Sequence, residues 1–126
     1  HGNSEEGGKM RAIISAVVLL SLCTALVLAN AIALCDVLGE MIELCDKISN
    51  DQESPQALRE LFVEHRSLLA LSIESDELER LGELIESLVS AYESKDSSQT
   101  VKYCRLTADL CRELSSFEKV SIESIF

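Results

Sequence analysis

Apolar residues recur through most of the chain at the three- and four-residue spacing of helices, and no alternating run of useful length indicates a strand. Residues 12–35 differ, because these 24 residues carry no charge. The pattern predicts an all-α protein in which an N-terminal transmembrane helix continues into an up-down antiparallel bundle of three to four helices. The predicted parts are a short N-terminal tail (1–11), the transmembrane helix (12–35) and the bundle (36–126).

Four helical segments are expected beyond the apolar run. The first continues to about Ser49, and a polar turn over residues 49–53 comes after it. The second is predicted from Pro55 to Ile73, because Ser54 offers an N-cap and proline suits the first helical position. Helices of this length joined by short turns are expected to pack in antiparallel order.

The third and fourth helices are separated by a polar turn over residues 94–98. Asp76, with Glu79 three residues later, predicts a capping box at the start of the third helix. Residues 117–126 form a tail of alternating character. The helically spaced residues predicted to face the core are Val37, Met41, Leu44, Cys45 and Ile48; Leu58, Leu61, Phe62, His65, Leu68, Leu69 and Ser72; Leu78, Leu81, Ile85, Leu88 and Tyr92; and Val101, Cys104, Ala108, Cys111 and Leu114.

The apolar run is long enough to cross a bilayer, because a helix needs roughly 20 apolar residues to span the hydrocarbon layer. Lys9 and Arg11 precede the run, whereas Asp36 and Glu40 come after it. This asymmetry predicts a cytoplasmic N-terminus and an exported bundle, with the lipid bilayer as a partner of the helix.

A cleaved signal peptide is the competing interpretation of the apolar run. Residues 29–31 (Ala-Asn-Ala) and 31–33 (Ala-Ile-Ala) both match the small-residue cleavage pattern. Retention is favoured because the run continues past both sites, and either interpretation exports the same bundle. Residues 1–9 are interpreted as translated leader ahead of a start at Met10, or as a remnant of cloning.

The charge of the chain argues against a nucleic-acid partner. The sequence has 11 basic and 22 acidic residues, which give a formal net charge of -11. Residues 36–126 contain 9 of the basic and 20 of the acidic residues, so the bundle carries the whole net charge. An acidic surface repels phosphate, and neither DNA nor RNA is expected to bind.

No pattern in the sequence indicates catalysis, a cofactor or a metal site, so the protein is not expected to be an enzyme. The chain has no nucleophile elbow, glycine-rich phosphate loop or Cys-x-x-Cys pair. His65 lies on an apolar stripe without a glutamate three residues before it, and it is expected to be a core or rim histidine. Glu74, Asp76, Glu77 and Glu79 are expected to complement the dipole of the third helix.

Four of the five cysteines lie on the first and fourth helices of the predicted bundle. If these helices are antiparallel neighbours, Cys35 faces Cys111 and Cys45 faces Cys104, and helix tilt absorbs an unequal spacing of roughly 4.5 Å for at least one pair. Export to an oxidising compartment would permit both disulfides. The alternative, slightly favoured, is that these cysteines are small buried apolar residues.

The last three residues offer a second candidate site. Ser124, Ile125 and Phe126 end the chain in an apolar carboxylate, the form that PDZ-type domains capture. The favoured alternative is that Val120 and Ile122 pack on the bundle together with Ile125 and Phe126. Removing the last two residues distinguishes the two, because only packed side chains affect the melting temperature.

The membrane-proximal apolar helix, the short amphipathic helices, residues 75–79 (Ser-Asp-Glu-Leu-Glu) and the ending over 117–126 resemble the DUF4363 family of uncharacterised single-span bacterial proteins. The resemblance implies a bacterial cell membrane location and a helical fold, without any activity. The expected function is that of an extracytoplasmic interaction or accessory module, with a membrane protein as its candidate partner. The alternative is a small extracytoplasmic ligand-sensing four-helix bundle, and the sequence leaves the oligomeric state open.

Overall fold

The structure, a computed structural model, describes residues 2–125, apart from the side chains of residues 2–4, 121, 122 and 125. Over this range the chain is all-α, as the sequence predicts, and contains no strand. The described chain forms two compact units, one ending at Asn30 and one beginning at Ala31. The five helices are α1 (Gly2–Ser49), α2 (Pro55–Glu64), α3 (Arg66–Ser72), α4 (Ser75–Glu93) and α5 (Ser97–Ile125).

The first unit contains the part of α1 that precedes Ala31. Its 18-residue window of highest mean hydropathy, 2.7, has no buried residue. By length and composition α1 is able to cross a membrane, and both a membrane anchor and a signal sequence have these properties. The exposed large apolar side chains of the first unit are Met10, Ile13, Ile14, Val17, Val18, Leu19, Leu20, Leu22, Leu26 and Val27.

The second unit is a helical bundle with one apolar core, to which all five helices contribute. The core begins earlier than the sequence predicts, because Ala31 and Leu34 are buried although they fall within the predicted transmembrane range of 12–35. The residues of the core with no exposed surface include Leu34, Leu38 and Met41 of α1, Leu58 of α2, Leu69 of α3, Leu81 and Leu88 of α4, and Thr107 and Cys111 of α5.

The second half of α1 packs against α5 in the antiparallel direction. Cys111 Sγ lies 3.9 Å from Met41 Sδ, and further along α1 the side chain of Ser49 hydrogen-bonds Cys104. The two helices therefore run in opposite directions, because the contact further along α1 involves an earlier residue of α5. The predicted neighbour relation between the first and last helices of the bundle is present in the structure.

The predicted second helix, from Pro55 to Ile73, is divided at His65 into α2 and α3. His65 has φ -103° and ψ 13°, outside the helical range, and its Nδ1 lies 3.1 Å from the carbonyl oxygen of Leu61. Neither a glycine nor a proline marks this break. The apolar stripe nevertheless continues across it, because Leu58, Phe62 and Leu69 are all buried.

Of the two helix N-caps predicted from the sequence, one is present in the structure and one is not. Ser54 caps α2 as expected, since the amide of Gln56 donates a hydrogen bond of 3.3 Å to its Oγ. The predicted capping box of Asp76 and Glu79 is wrong, because α4 begins at Ser75. Its N-cap residue is Glu74, which makes no side-chain capping hydrogen bond.

Helices α1 and α4 end in the same hydrogen-bonded turn, the Schellman motif. After α1, the amide of Gln52 donates to the carbonyl of Lys47 at 2.8 Å and that of Asp51 to the carbonyl of Ile48 at 3.1 Å. After α4, the amides of Asp96 and Lys95 donate in the same way to Ala91 and Tyr92, at 3.1 and 3.0 Å. Asp51 and Lys95 each have φ 59°, which is the left-handed region.

Two predicted core positions on either side of the α4–α5 turn are more exposed than expected. Tyr92 and Val101 are 39% and 40% exposed, whereas the other members of their stripes are buried. The predicted alternating tail is instead the continuation of α5, which extends to Ile125. On this extension Phe117 and Val120 are exposed, so Val120 does not pack on the bundle as the tail interpretation expects.

Candidate functional site

Three cysteines of the second unit, Cys45, Cys104 and Cys111, lie where α1 and α5 meet. Cys45, Cys104 and Cys111 are buried, Cys35 is half-buried, and in the first unit Cys23 is exposed. All five side chains are free thiols in the structure. The candidate disulfides Cys35–Cys111 and Cys45–Cys104, and the slightly favoured alternative of reduced buried cysteines, both stay predictions.

The helix register bears on both candidate cysteine pairs, Cys35 with Cys111 and Cys45 with Cys104. Cys111 packs against Met41, and Cys35 precedes Met41 by six residues, or about 9 Å of helical rise. The structure thus does not bring Cys35 and Cys111 together. Cys45 and Cys104 both line one surface groove of about 220 Å³ with Ala108. However, Cys104 is hydrogen-bonded by Ser49, four residues beyond Cys45, and the thiol of Cys111 affects Cys45 more than that of Cys104 does.

Burial controls the chemistry of these thiols. Burial raises the pKa of Cys45 well above its ordinary value, and the nearby thiols of Cys111 and Cys104 raise it further. Burial also raises the pKa of Cys111 to about 12, and it raises the pKa of Cys104 against the opposing effect of a hydrogen bond from Ser49. The three side chains are protonated at neutral pH and weakly nucleophilic, because the thiolate is the reactive form.

The residues that the structure describes contain no group of three histidine, cysteine, aspartate or glutamate side chains arranged to hold a metal ion. His65 is half-buried at the junction of α2 and α3, where its ring contacts a backbone carbonyl. Its position agrees with the expected rim histidine.

The predicted carboxyl-terminal docking residues are described only in part. Ser124 is exposed on the last turn of α5. The side chains of Ile122 and Ile125, and Phe126 as a whole, lie outside the described residues. Docking and packing of these residues both stay predictions, except at Val120, whose exposed side chain does not pack on the bundle.

A concave surface that the sequence does not predict lies between the α3–α4 junction and α5, and has a volume of about 360 Å³. Its apolar wall consists of Ile73 before α4 and Leu114 and Phe117 of α5. We name this surface the acidic cavity, because every ionisable side chain lining it is a carboxylate. These carboxylates are Glu74, Glu77, Glu113 and Glu118.

One carboxylate of the acidic cavity has an oxygen without a partner. Oε2 of Glu77 is buried and has no hydrogen-bond partner in the structure. Glu77 lies in the first turn of α4, where the helix dipole favours a negative charge. The sequence shows these glutamates as two separate acidic stretches, and only the antiparallel register of α4 and α5 brings them to one surface.

No family model, curated protein or solved structure matches the chain. The resemblance to the DUF4363 family stays a prediction from residues 75–79 and 117–126. A function for this chain is therefore inferred from its fold and from the geometry of the described residues.

Proposed function

We propose that this protein is a single-pass membrane-anchored helical bundle of the DUF4363 type, which acts outside the bacterial cytoplasm as an interaction module without catalysis. The observation that supports the proposal is the contrast between the two parts of α1. Before Asn30 most of its large apolar side chains are exposed, whereas from Ala31 onward Leu34, Val37, Leu38 and Met41 are buried and Ile32 is exposed. Exposed apolar surface of this extent is unfavourable in water and favourable in a bilayer.

The early start of the core shortens the predicted transmembrane segment. Residues 12–30 remain for the bilayer, and their helical length of roughly 28 Å is close to the thickness of the hydrocarbon layer. Residues 31–35 therefore do not add to the length of the apolar segment, and that length was the reason for favouring a retained anchor over a cleaved signal peptide. Cleavage after Ala31 or Ala33 would leave Leu34 and the rest of the core in place.

The proposed topology is based on charge. Lys9 and Arg11 lie just before the apolar segment, whereas the first charged residues after it are the acidic Asp36, Glu40, Glu43 and Asp46. Positive residues stay on the cytoplasmic side, so the acidic bundle is placed on the other side.

A labelling experiment in bacterial cells tests the location and topology. The full chain carries either Lys95→Cys, at an exposed turn, or Glu6→Cys, ahead of the apolar segment. A membrane-impermeant maleimide is expected to label the first variant in intact cells and the second only after lysis. The wild-type chain is the control for native cysteines.

Two results contradict the proposal. Labelling of Glu6→Cys but not Lys95→Cys in intact cells would place the bundle in the cytoplasm. Recovery of the bundle in the soluble fraction after an alkaline wash would show a cleaved signal sequence in place of an anchor.

The interaction role is supported by the surface of the second unit. Val63 and Leu71 are 64% and 79% exposed, and Phe117 and Val120 are exposed on α5. Crosslinking from these positions in cells is expected to recover one recurring membrane protein. Recovery of no specific partner would contradict the interaction role and favour the ligand-sensing alternative, which needs none.

A further inference from the structure

The exposed apolar side chains of the bundle are unevenly distributed along it. Among the side chains that the structure describes in the second unit, five large apolar ones are more than half exposed. They are Ile32, Val63, Leu71, Phe117 and Val120. Near the turn between α4 and α5, in contrast, Tyr92 and Val101 are more than half covered. The most exposed apolar residues therefore lie away from that turn.

The register of α1 against α5 places two of these residues at the same level. Cys111 Sγ lies 3.9 Å from Met41 Sδ in this antiparallel pair. Ile32 precedes Met41 by nine residues and Val120 follows Cys111 by nine, so each lies about 13.5 Å from the contact by helical rise. Ile32 and Val120 therefore both lie at the end of the bundle that begins at Ala31.

Leu71 and Phe117 lie near the same end. Phe117 precedes Val120 by three residues on α5, so the two side chains share one helix face. Ile73, two residues after Leu71, lines the acidic cavity together with Phe117. We name the exposed side chains of Ile32, Leu71, Phe117 and Val120, which come from three helices, the apolar end of the bundle.

The covalent chain joins this end of the bundle to the proposed transmembrane segment. Ala31, the first residue of the bundle, directly follows residues 12–30, which are proposed to lie in the bilayer. From the contact of Met41 with Cys111, α1 extends about 15 Å to Ala31, whereas α5 extends about 21 Å to Ile125. The backbone of α5 thus reaches about 6 Å beyond Ala31, and the headgroup region of one leaflet is roughly 5–8 Å thick.

We infer that the apolar end inserts into the headgroup region of the bilayer that the first part of α1 is proposed to span. Exposed apolar patches are unfavourable in water, and helices at a bilayer surface bury their apolar side chains about 5–10 Å deep. The bundle is acidic, so apolar burial rather than attraction to anionic lipid stabilises this contact. The inference rests on the proposed membrane anchor and adds a second contact, made by the bundle itself. Val63 lies outside the apolar end and stays accessible to the proposed protein partner.

Tryptophan fluorescence of the full chain in phosphatidylcholine vesicles tests the contact. The sequence contains no tryptophan, so each single variant reports from one position. Phe117→Trp and Val120→Trp probe the apolar end, and Tyr92→Trp and Val101→Trp are the matched controls at the opposite end. All four positions are exposed, so the substitutions leave the core intact, and circular dichroism checks the fold. The vesicles are either unmodified or brominated at the upper acyl carbons, because bromine quenches tryptophan only at close contact.

The quenching is expected to differ between the two ends. Brominated lipid is expected to lower the emission of Phe117→Trp and Val120→Trp by roughly half or more, because side chains at this depth contact the upper acyl carbons. The emission of Tyr92→Trp and Val101→Trp is expected to change by less than about a tenth, because Ser49, which lines the same groove, lies about 27 Å along α1 from Ala31.

Three results would overturn the inference. The first is equal emission of Phe117→Trp and Val120→Trp in the two kinds of vesicle. The second is equal quenching at all four positions, which would indicate a bundle that lies along the bilayer. The third is shielding of both apolar-end tryptophans from acrylamide without quenching by bromine, which would indicate a second copy of the chain as the occupant.

Flotation of the vesicles separates this inference from the proposed function. A chain that does not float with the vesicles contradicts the proposed anchor and, with it, this inference. A chain that floats without quenching contradicts this inference alone. Quenching in vesicles together with a cytoplasmic bundle in cells would contradict the proposed location alone.

Discussion

At the scale of single residues, the core leucines determine stability. Leu81 has no exposed surface, whereas Leu71 is 79% exposed. Leu81→Ala is expected to lower the free energy of unfolding by about 2–5 kcal/mol, because it removes buried methyl groups and leaves a cavity. Leu71→Ala, the same chemical change on the surface, is expected to stay within about 0.5 kcal/mol. Urea unfolding followed by circular dichroism measures both, and equal effects would contradict the described core.

The ion pair between α2 and α4 gives a pH-dependent prediction. Arg59 Nε donates a hydrogen bond of 2.8 Å to Glu86 Oε1, and a second hydrogen bond joins Arg59 Nη2 to Glu86 Oε2. The hydrogen bonds and charge of Arg59 hold the pKa of Glu86 below its ordinary value of 4.5. The stability that the pair contributes is therefore present above about pH 4.5 and is lost as the pH falls through the folded-state pKa.

Glu86→Gln is accordingly expected to lower the urea midpoint at neutral pH and to have a smaller effect as the pH falls below 4.5. Glu83→Gln is the matched control, because Glu83 is an exposed acid on the same helix. A difference between wild type and Glu86→Gln that grows toward acid pH would contradict the described pair.

At the scale of elements, the helix starts differ in how much each depends on its cap. Ser54→Ala is expected to lower the free energy of unfolding by about 0.5–2 kcal/mol, because it removes the hydrogen bond to the amide of Gln56. Glu74→Ala is expected to change little, because the side chain at that N-cap makes no such bond. Thermal unfolding of both variants tests this, and the reverse order would contradict the described caps.

The sequence predicts helices better than it predicts their ends. Periodic apolar residues identify α1, α4 and α5, because burial of one face imposes a helical spacing. The break at His65 was not predictable, because no glycine or proline marks it and the apolar stripe continues across it. The capping box failed for a different reason: Asp76 and Glu79 have the right spacing, but the N-cap of α4 is Glu74, two residues before Asp76.

At the scale of the whole molecule, the register between neighbouring helices determines which side chains meet, and the sequence does not predict that register. The neighbour relation of α1 and α5 is expected from helix count and short turns, but the pairing of cysteines depends on a shift of a few residues along α5. The register of α4 against α5 likewise brings Glu77 to the same surface as Glu113 and Glu118 in the acidic cavity. Glu77 and Glu113, which both line this cavity, are 36 positions apart in the sequence. Helical periodicity contains no information on contacts at that range.

The charge of the bundle predicts its response to salt. With 20 acidic and 9 basic residues, the folded state carries more repulsion than attraction between its surface charges. Raising sodium chloride from about 20 to 500 mM shortens the Debye length to a few ångströms and screens this repulsion. The urea midpoint of the full chain in non-ionic detergent is expected to rise with salt, and a fall would show that favourable ion pairs dominate.

The Schellman turns after α1 and α4 also bear on how this sequence can evolve. Each places a non-glycine residue, Asp51 or Lys95, in the left-handed region, where a β-carbon costs roughly 1 kcal/mol relative to glycine. The hydrogen bonds of the turn, rather than the residue type, therefore hold the conformation. Glycine at Lys95 would release that cost without touching the core. The chain thus retains an unused margin that could offset one moderately destabilising mutation elsewhere, such as one acquired during adaptation to a new partner.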